Sequence, residues 1–388
     1  MNNKQNFNLL SMAHLFSDVY SSFLAPLMPL IIFIHKLTLT QAGYIITIYA
    51  ILASVMQPLF GFLSDKAGRK YFIVLSPLLV SIFMSSLICF DNLFIFIIVL
   101  LLAGMATSAF HPAGASLAHS LHETNPSFGL AWFIALGTIG TAIGPFYISW
   151  IASHIARNLC FIAAIPGLLF SIIFILYFKP PAMHLKPQKE LIANKPLPYL
   201  LFSLLFSMSV LRAFAQYSLS SYLPVHLNRE GYSLIATGAT VSLIMGMASL
   251  GGLAGGYLYK KLSLKTIFII SNALSAICLA LFLNMSGPLL FILLALGCFN
   301  LFMPGPISIA VAQEIRPASI GTISALMMGF GWGIGGMLVP VIGYLGDQHG
   351  LLYALSILFI APALSVILSA FLPKKGLGTR DWGMEICK

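Results

Sequence analysis

Asp18 and Arg212 stand deep inside apolar stretches of a 388-residue chain, where an ionisable side chain is costly and is retained because it binds or moves something. His14 precedes Asp18 by one helical turn, so the two share a face. A carboxyl group in apolar surroundings with an imidazole one turn away is a proton carrier in the making. His111, beside Pro112, is a further imidazole at a helix break, where it satisfies freed carbonyls or meets a bound molecule. Arg212 keeps its charge and offers a planar fork of donors that fits a carboxylate or a phosphonate. Gln216 lies one turn further on with Tyr217 beside it, and Tyr20 follows Asp18 in the first stretch. This pattern predicts proton coupling at Asp18 and His14. It also predicts binding of an anionic or zwitterionic small molecule by Arg212, Gln216, Tyr20, Tyr217 and His111. The competing reading is that Asp18 only holds Arg212 as a structural ion pair.

The elements that position these residues follow from composition. Hydrophobic residues make up 59% of the chain and charged residues only 8%, against roughly 25% charged in soluble domains. The apolar runs are long enough to cross a bilayer as helices. They fall near residues 7–34, 41–63, 71–89, 92–117, 129–153, 158–178, 198–227, 232–259, 264–284, 287–311, 319–346 and 349–372. The first is too long for a cleavable signal peptide, and no small-residue cleavage site follows it. The expected fold class is all-α integral membrane, with twelve transmembrane helices.

Two halves of this design are related in sequence. His14 and Asp18 followed by Pro26 correspond to Arg212 and Gln216 followed by Pro224, each offset by 198. Phe110-His111-Pro112 corresponds to Phe302-Met303-Pro304, and Gly137 and Gly140 correspond to Gly333 and Gly336. Pseudo-symmetric six-helix halves around a central cavity are a standard architecture of secondary transporters. The expected boundaries are 1–178 for the first half, 179–197 for a linker rich in Lys and Pro, 198–373 for the second half and 374–388 for a tail.

Between the second and third stretches runs Gly61-Phe-Leu-Ser-Asp65-Lys-Ala-Gly68-Arg69-Lys70. Glycines admit close backbone approach, an acid can meet a neighbouring helix end, and the bases face the cytoplasm. The string resembles the loop signature of the major facilitator superfamily, Gly-x-Leu-x-Asp-(Arg/Lys)-x-Gly-Arg-(Arg/Lys). The fifth stretch carries Gly137-x-x-Gly140-x-x-x-Gly144-Pro145, whose ending resembles the antiporter motif of the same superfamily. Gly61, Asp65, Gly68, Arg69, Gly140, Gly144 and Pro145 are therefore expected to gate the carrier. In Gly256-Tyr-Leu-Tyr-Lys260 the second half repeats the loop's opening with a base in place of Asp65. His14-Leu-Phe-Ser-Asp18, Gln57-Pro58-Leu-Phe-Gly61, Phe110-His111-Pro112 and Gln313-Glu314 with Gly333, Gly335 and Gly336 resemble the fosmidomycin-resistance branch of efflux proteins. That branch commonly has an acid where this chain has Ala113, so that acid's role does not carry over.

The resemblance implies an inner-membrane secondary transporter that works by proton-coupled efflux, with proton-coupled uptake as the alternative. It also implies a carrier able to act as a monomer. The partners expected are a small anionic molecule, protons and the lipid bilayer. No cofactor and no metal are expected. An intramembrane enzyme would need a nucleophile with its base or a metal-ligand motif, and the chain has neither HExxH nor GxSxG. The five cysteines have no CxxC spacing.

The formal charge of +10 does not indicate a nucleic-acid partner. With the N-terminus placed in the cytoplasm, sixteen of the twenty Lys and Arg fall on the cytoplasmic side, and only Lys36, Arg157 and Arg229 fall outside. This is the positive-inside bias, and it sets both termini in the cytoplasm. A reporter that functions only in the periplasm, fused after Lys388, is therefore expected to be silent. A strong signal from it reverses the orientation.

Overall fold

The computed structural model describes residues 3–122, 126–179, 199–315 and 323–373. Twelve helices in it are long and apolar enough to cross a membrane. They are α1 (Asn3–His35), α2 (Leu39–Ser64), α3 (Arg69–Cys89), α4 (Leu93–Ala118), α5 (Gly129–His154) and α6 (Arg157–Tyr177). The others are α7 (Tyr199–Arg229), α8 (Leu234–Leu258), α9 (Leu264–Asn284), α10 (Pro288–Glu314), α11 (Ala325–His349) and α12 (Leu351–Ser369). In hydrocarbon every backbone N–H and C=O needs an internal partner, which is why such apolar runs fold as helices. The described residues contain no strand.

Local sequence sets the helix ends and breaks. Thr38 caps α2 in a reciprocal box with Gln41, and Asn92 caps α4 through the amides of Phe94 and Ile95. Gly68 turns the chain from α2 into α3 at φ +100°, a conformation that side chains resist. Pro112 in α4, Pro145 in α5 and Pro224 in α7 each remove a helix hydrogen bond. Many large apolar side chains, Phe33, Phe94, Leu253 and Ile367 among them, are exposed on the helices, as lipid contact requires.

Contacts gather the chain into two compact units. One comprises Met1–Lys186, Tyr217–Gly246 and Gly336–Leu355, and the other Pro187–Gln216, Met247–Gly335 and Ser356–Lys388. They cut across the six-and-six pseudo-repeat, which is a relation between sequences rather than between contacts. The linker beyond Lys179 and the tail over 374–388 lie outside the described residues.

In the first unit α1 lies directly against α5. A Cβ at Gly140 would overlap the carbonyl oxygen of Leu15, and one at Gly144 would overlap the carbonyl oxygen of Val19 and Oγ of Ser22. The glycine stripe thus brings two backbones into contact. At one end of the unit α2 meets α11. There Asp347 accepts hydrogen bonds from the amides of Leu39 (2.9 Å) and Thr40 (2.9 Å) and from the Thr40 hydroxyl (2.6 Å). Tyr222 of α7 donates to the Leu39 carbonyl at 2.8 Å. These bonds explain why part of the second sequence half belongs to this unit. The second unit packs α7, α9, α10 and α11 around Leu205, Met208, Phe268, Val311 and Met327. Here Gly335 of α11 repeats the close approach, since its Cβ would lie 2.6 Å from Cβ of Ala213 in α7.

Replacing Gly144 with Val is expected to separate α1 from α5, because backbone rather than a flexible side chain occupies the space. Overpacking of this kind costs about 1–3 kcal/mol or more. The check is the unfolding midpoint of purified protein, which falls for Gly144→Val and stays near the parent value for Gly256→Val, where a Cβ meets nothing.

Candidate functional site

Three titratable side chains of the first unit converge where α1, α4 and α5 meet. Nε2 of His14 lies 3.3 Å from Oδ2 of Asp18, and Nε2 of His111 lies 3.6 Å from Oδ1 of the same carboxyl group. Their side chains are 8%, 11% and 26% exposed for His14, Asp18 and His111, so His111 is the least enclosed of the three. The helical i,i+4 spacing provides the first contact, and the packing of α4 on α1 provides the second.

The surroundings orient the cluster. Nδ1 of His14 sits 2.8 Å from the carbonyl oxygen of Phe133, and the Phe133 ring stacks on the imidazole with centroids 4.0 Å apart. A nitrogen facing a carbonyl must carry the hydrogen, so Nε2 of neutral His14 is an acceptor facing a carboxyl oxygen. The contact is favourable only when one proton lies between them, on Nε2 or on Oδ2. His111 meets the His14 ring edge-on at a centroid distance of 5.3 Å. Gly137 makes room for all of this, since a Cβ there would overlap the His14 ring and lie 2.7 Å from Oδ2 of Asp18. Oδ1 of Asp18 is buried without a hydrogen bond among the described residues, its contact with His111 being longer than one. The three ligand-type atoms lie within 4.8 Å of one another, and a two-histidine, one-carboxylate set of this size is also of a kind that could hold a transition metal.

Arg212 belongs to the second unit. It is only 5% exposed, and Nη2 donates to Oγ of Ser209 at 2.9 Å. Among the described residues of that unit no carboxylate lies within ion-pair distance of it. Gln216, one turn on, is likewise buried. Tyr217 falls in the first unit, where its ring edge lies against Gly336. Tyr20 is placed away from the cluster: its hydroxyl donates to the Ala163 carbonyl at 2.9 Å and accepts from the Gly167 amide at 2.8 Å. Two residues along a helix is about 200° of rotation, so Tyr20 faces the opposite side from Asp18.

Of the loop residues, Arg69 donates to Oγ of Ser116 in α4 at 2.7 Å, and Gly61 packs beside Pro112 of the same helix. The side chain of Asp65 lies outside the described residues. Gly140 and Gly144 line the α1–α5 seam. Past Pro145, the Phe146 amide donates to Oγ of Ser242 in α8 at 3.1 Å.

Sequence reasoning left Asp347 among the loop acids, yet it ties α2 to α11. The signal was present: Gly343-Tyr-Leu-Gly-Asp347-x-x-Gly350 repeats the spacing of Gly61-Phe-Leu-Ser-Asp65-x-x-Gly68.

The twelve helices long and apolar enough to cross a membrane make the chain a multi-pass membrane protein. The model of the Major Facilitator Superfamily matches residues 10–340, and the chain belongs to that family. It is 25% identical over 381 residues to the fosmidomycin resistance protein of Escherichia coli (strain K12), covering 94% of this chain and 91% of that protein. It is 27% identical over 383 residues to the multi-drug resistance efflux pump PmrA of Streptococcus pneumoniae serotype 4, covering 92% and 94%. A bacterial homologue of the human lysosomal transporter Spinster, solved in an inward-facing and occupied conformation, superposes with a TM-score of 0.72 at 14% identity, covering 94% of this chain and 95% of that one. The protein is a multi-pass membrane transporter of small molecules rather than an enzyme.

Removing the Asp347 carboxylate by Asp347→Ala is expected to loosen the junction of α2 with α11, with loss of a helix cap costing about 1 kcal/mol. A cysteine placed at Thr47, whose hydroxyl bonds the Gly336 carbonyl, should then react faster with a soluble thiol reagent. An unchanged rate removes Asp347 from the junction's energetics.

Proposed function

We propose that the protein is an inner-membrane antiporter that exports a small anionic or zwitterionic compound in exchange for protons. The observation that carries this reading is the Asp18 carboxyl group flanked by two imidazoles, in a geometry that requires a proton between Asp18 and His14. A carboxyl group so placed exists in two states of different charge, and the two states favour different arrangements of the helices around it. His14 is the tuning partner, held in one tautomer by the Phe133 carbonyl. His111, the most exposed of the three, is the route by which the proton reaches bulk water. Arg212 receives the anionic part of the cargo with Gln216 as an uncharged helper, and Tyr20 serves packing. The direction of transport is supported by the relatives, which are named for resistance and efflux. Uptake driven by the same proton site is the other direction this chemistry allows.

Movement between inward-open and outward-open states needs junctions that form in one state only. Asp347 at the α2–α11 end and the Asp65–Arg69 loop at the other end of α2 are the pair we assign to that task. With cytoplasmic termini, the Asp347 junction lies on the periplasmic side.

In proteoliposomes Asp18→Asn is expected to abolish proton-driven accumulation while exchange of like for like continues, because exchange moves no net proton. His111→Gln should slow the coupled reaction and shift its pH profile without eliminating binding. Uphill transport by the Asp18→Asn variant with the parent's pH dependence places the proton elsewhere.

A further inference from the structure

We infer that His14, Asp18 and His111 form a three-ligand site for a divalent transition-metal ion of the Zn²⁺ class. The inference goes beyond the transport reading above and does not rest on the direction or the cargo proposed there.

A proton satisfies only one side of this cluster. It lies between Nε2 of His14 and Oδ2 of Asp18, which are 3.3 Å apart. Oδ1 of the same buried carboxyl group is left without a hydrogen bond among the described residues, and Nε2 of His111 stands 3.6 Å from it. A buried carboxylate oxygen without a donor is costly. A cation in front of the carboxyl group meets both imidazoles and the carboxylate at once, because each ring approaches with its Nε2.

The distances suit such an ion. With bonds of about 2.1 Å, the ligand atoms of a tetrahedral site stand about 3.4 Å apart. The two imidazole–carboxylate separations, 3.3 and 3.6 Å, bracket that spacing, and the three ligand-type atoms all lie within 4.8 Å of one another. Three protein ligands leave a fourth position for water, as in other accessible metal sites.

The surroundings prepare the ligands. A metal-ligating histidine donates its other ring N–H to a carbonyl or carboxylate, which fixes its tautomer and its plane. Nδ1 of His14 does this at 2.8 Å to the Phe133 carbonyl, so the lone pair of Nε2 faces the cluster. The stacked Phe133 ring holds the imidazole in that plane. Gly137 keeps α5 from placing a side chain against Nε2 of His14 and Oδ2 of Asp18. His111, the least enclosed member, marks the side from which an ion enters.

The donor set selects the ion. Two imidazoles and a carboxylate suit Zn²⁺, Co²⁺ and Ni²⁺, whereas Mg²⁺ and Ca²⁺ take oxygen ligands. A bound metal ion and the shared proton exclude each other, since both use the Nε2 lone pair of His14. No motif in the sequence announces the site, because His111 of α4 joins the other two ligands only through packing. The second half has no counterpart: Arg212, Gln216 and Met303 stand at the positions matching His14, Asp18 and His111. One ion per chain is therefore expected.

The test is titration of the purified, untagged full chain in detergent. Zn²⁺ is followed by calorimetry, and Co²⁺ by the rise in its visible absorption when protein ligands replace its octahedral water shell. One saturable site is expected, from which Zn²⁺ displaces Co²⁺ and a large excess of Mg²⁺ displaces neither. His111→Gln should weaken Zn²⁺ at least about tenfold, since even the loss of a partner behind a ligand costs that much. Asp18→Asn keeps the shape, removes the charge and should weaken it at least about tenfold on the same scale. His154→Gln, at an exposed histidine outside the cluster, should bind as the parent does. If Asp18→Asn fails to fold, His111→Gln and the Co²⁺ absorption decide. A parent without a saturable site overturns the inference, and so does loss of the site in His154→Gln. Parent-like binding by His111→Gln or by Asp18→Asn removes that ligand and overturns the three-ligand site. Displacement by Mg²⁺ overturns the ion class. None of these results bears on proton coupling, which transport by the Asp18→Asn variant decides separately.

Discussion

The close approach of α1 and α5 is the constraint on which the functional cluster depends. Gly140 and Gly144 let the backbone of α5 touch the carbonyls of Leu15 and Val19, and one turn away Gly137 lies against His14 and Asp18. Any side chain on that stripe would move α5 outward. The Phe133 carbonyl would then leave Nδ1 of His14, and the tautomer that turns Nε2 toward Asp18 would no longer be imposed. The packing of α5 on α1 and the orientation of the cluster are therefore one problem here. The glycines serve the carboxyl group indirectly, by fixing where its neighbours stand.

Polar groups in an apolar bundle are the second organising fact. Apolar association gives little preference between helix and lipid, so the groups that need partners decide which helices meet. Tyr20 anchors α1 to the start of α6 through the Ala163 carbonyl and the Gly167 amide. Tyr222 and Asp347 draw α7 and α11 onto the first turn of α2. Arg212 stands apart from this pattern. Its buried guanidinium is only partly used, by Ser209.

The pseudo-repeat places different chemistry at matching positions of its two copies. The first spans of both halves place a polar pair one turn apart, and each span packs against a glycine, Gly137 of α5 meeting His14 and Asp18 and Gly335 of α11 meeting Ala213. In the first copy the pair is an imidazole and a carboxyl group, both of them titratable. In the second it is a guanidinium and an amide, which do not titrate at physiological pH. The titratable pair and the permanently charged side chain thus stand on different helices.

The amino-acid sequence by itself determined the class of protein, the helices, the repeat and the pairing of His14 with Asp18. Each of these depends on patterns within a span or on a fixed offset between copies, and hydrocarbon permits few alternatives to a helix. The tertiary structure decided what crosses from helix to helix. It brought His111 onto Asp18, turned Tyr20 away from both, set the Phe133 carbonyl on His14 and made Asp347 a cap for a helix more than 300 residues earlier. Residue spacing along a helix specifies direction around one axis only. Which neighbour waits in that direction depends on how closely two helices can approach, and at His14, Tyr20 and Leu39 that was set by Gly137, Gly167 and Gly343 on the opposing helices, whose effect exists only once the helices pack.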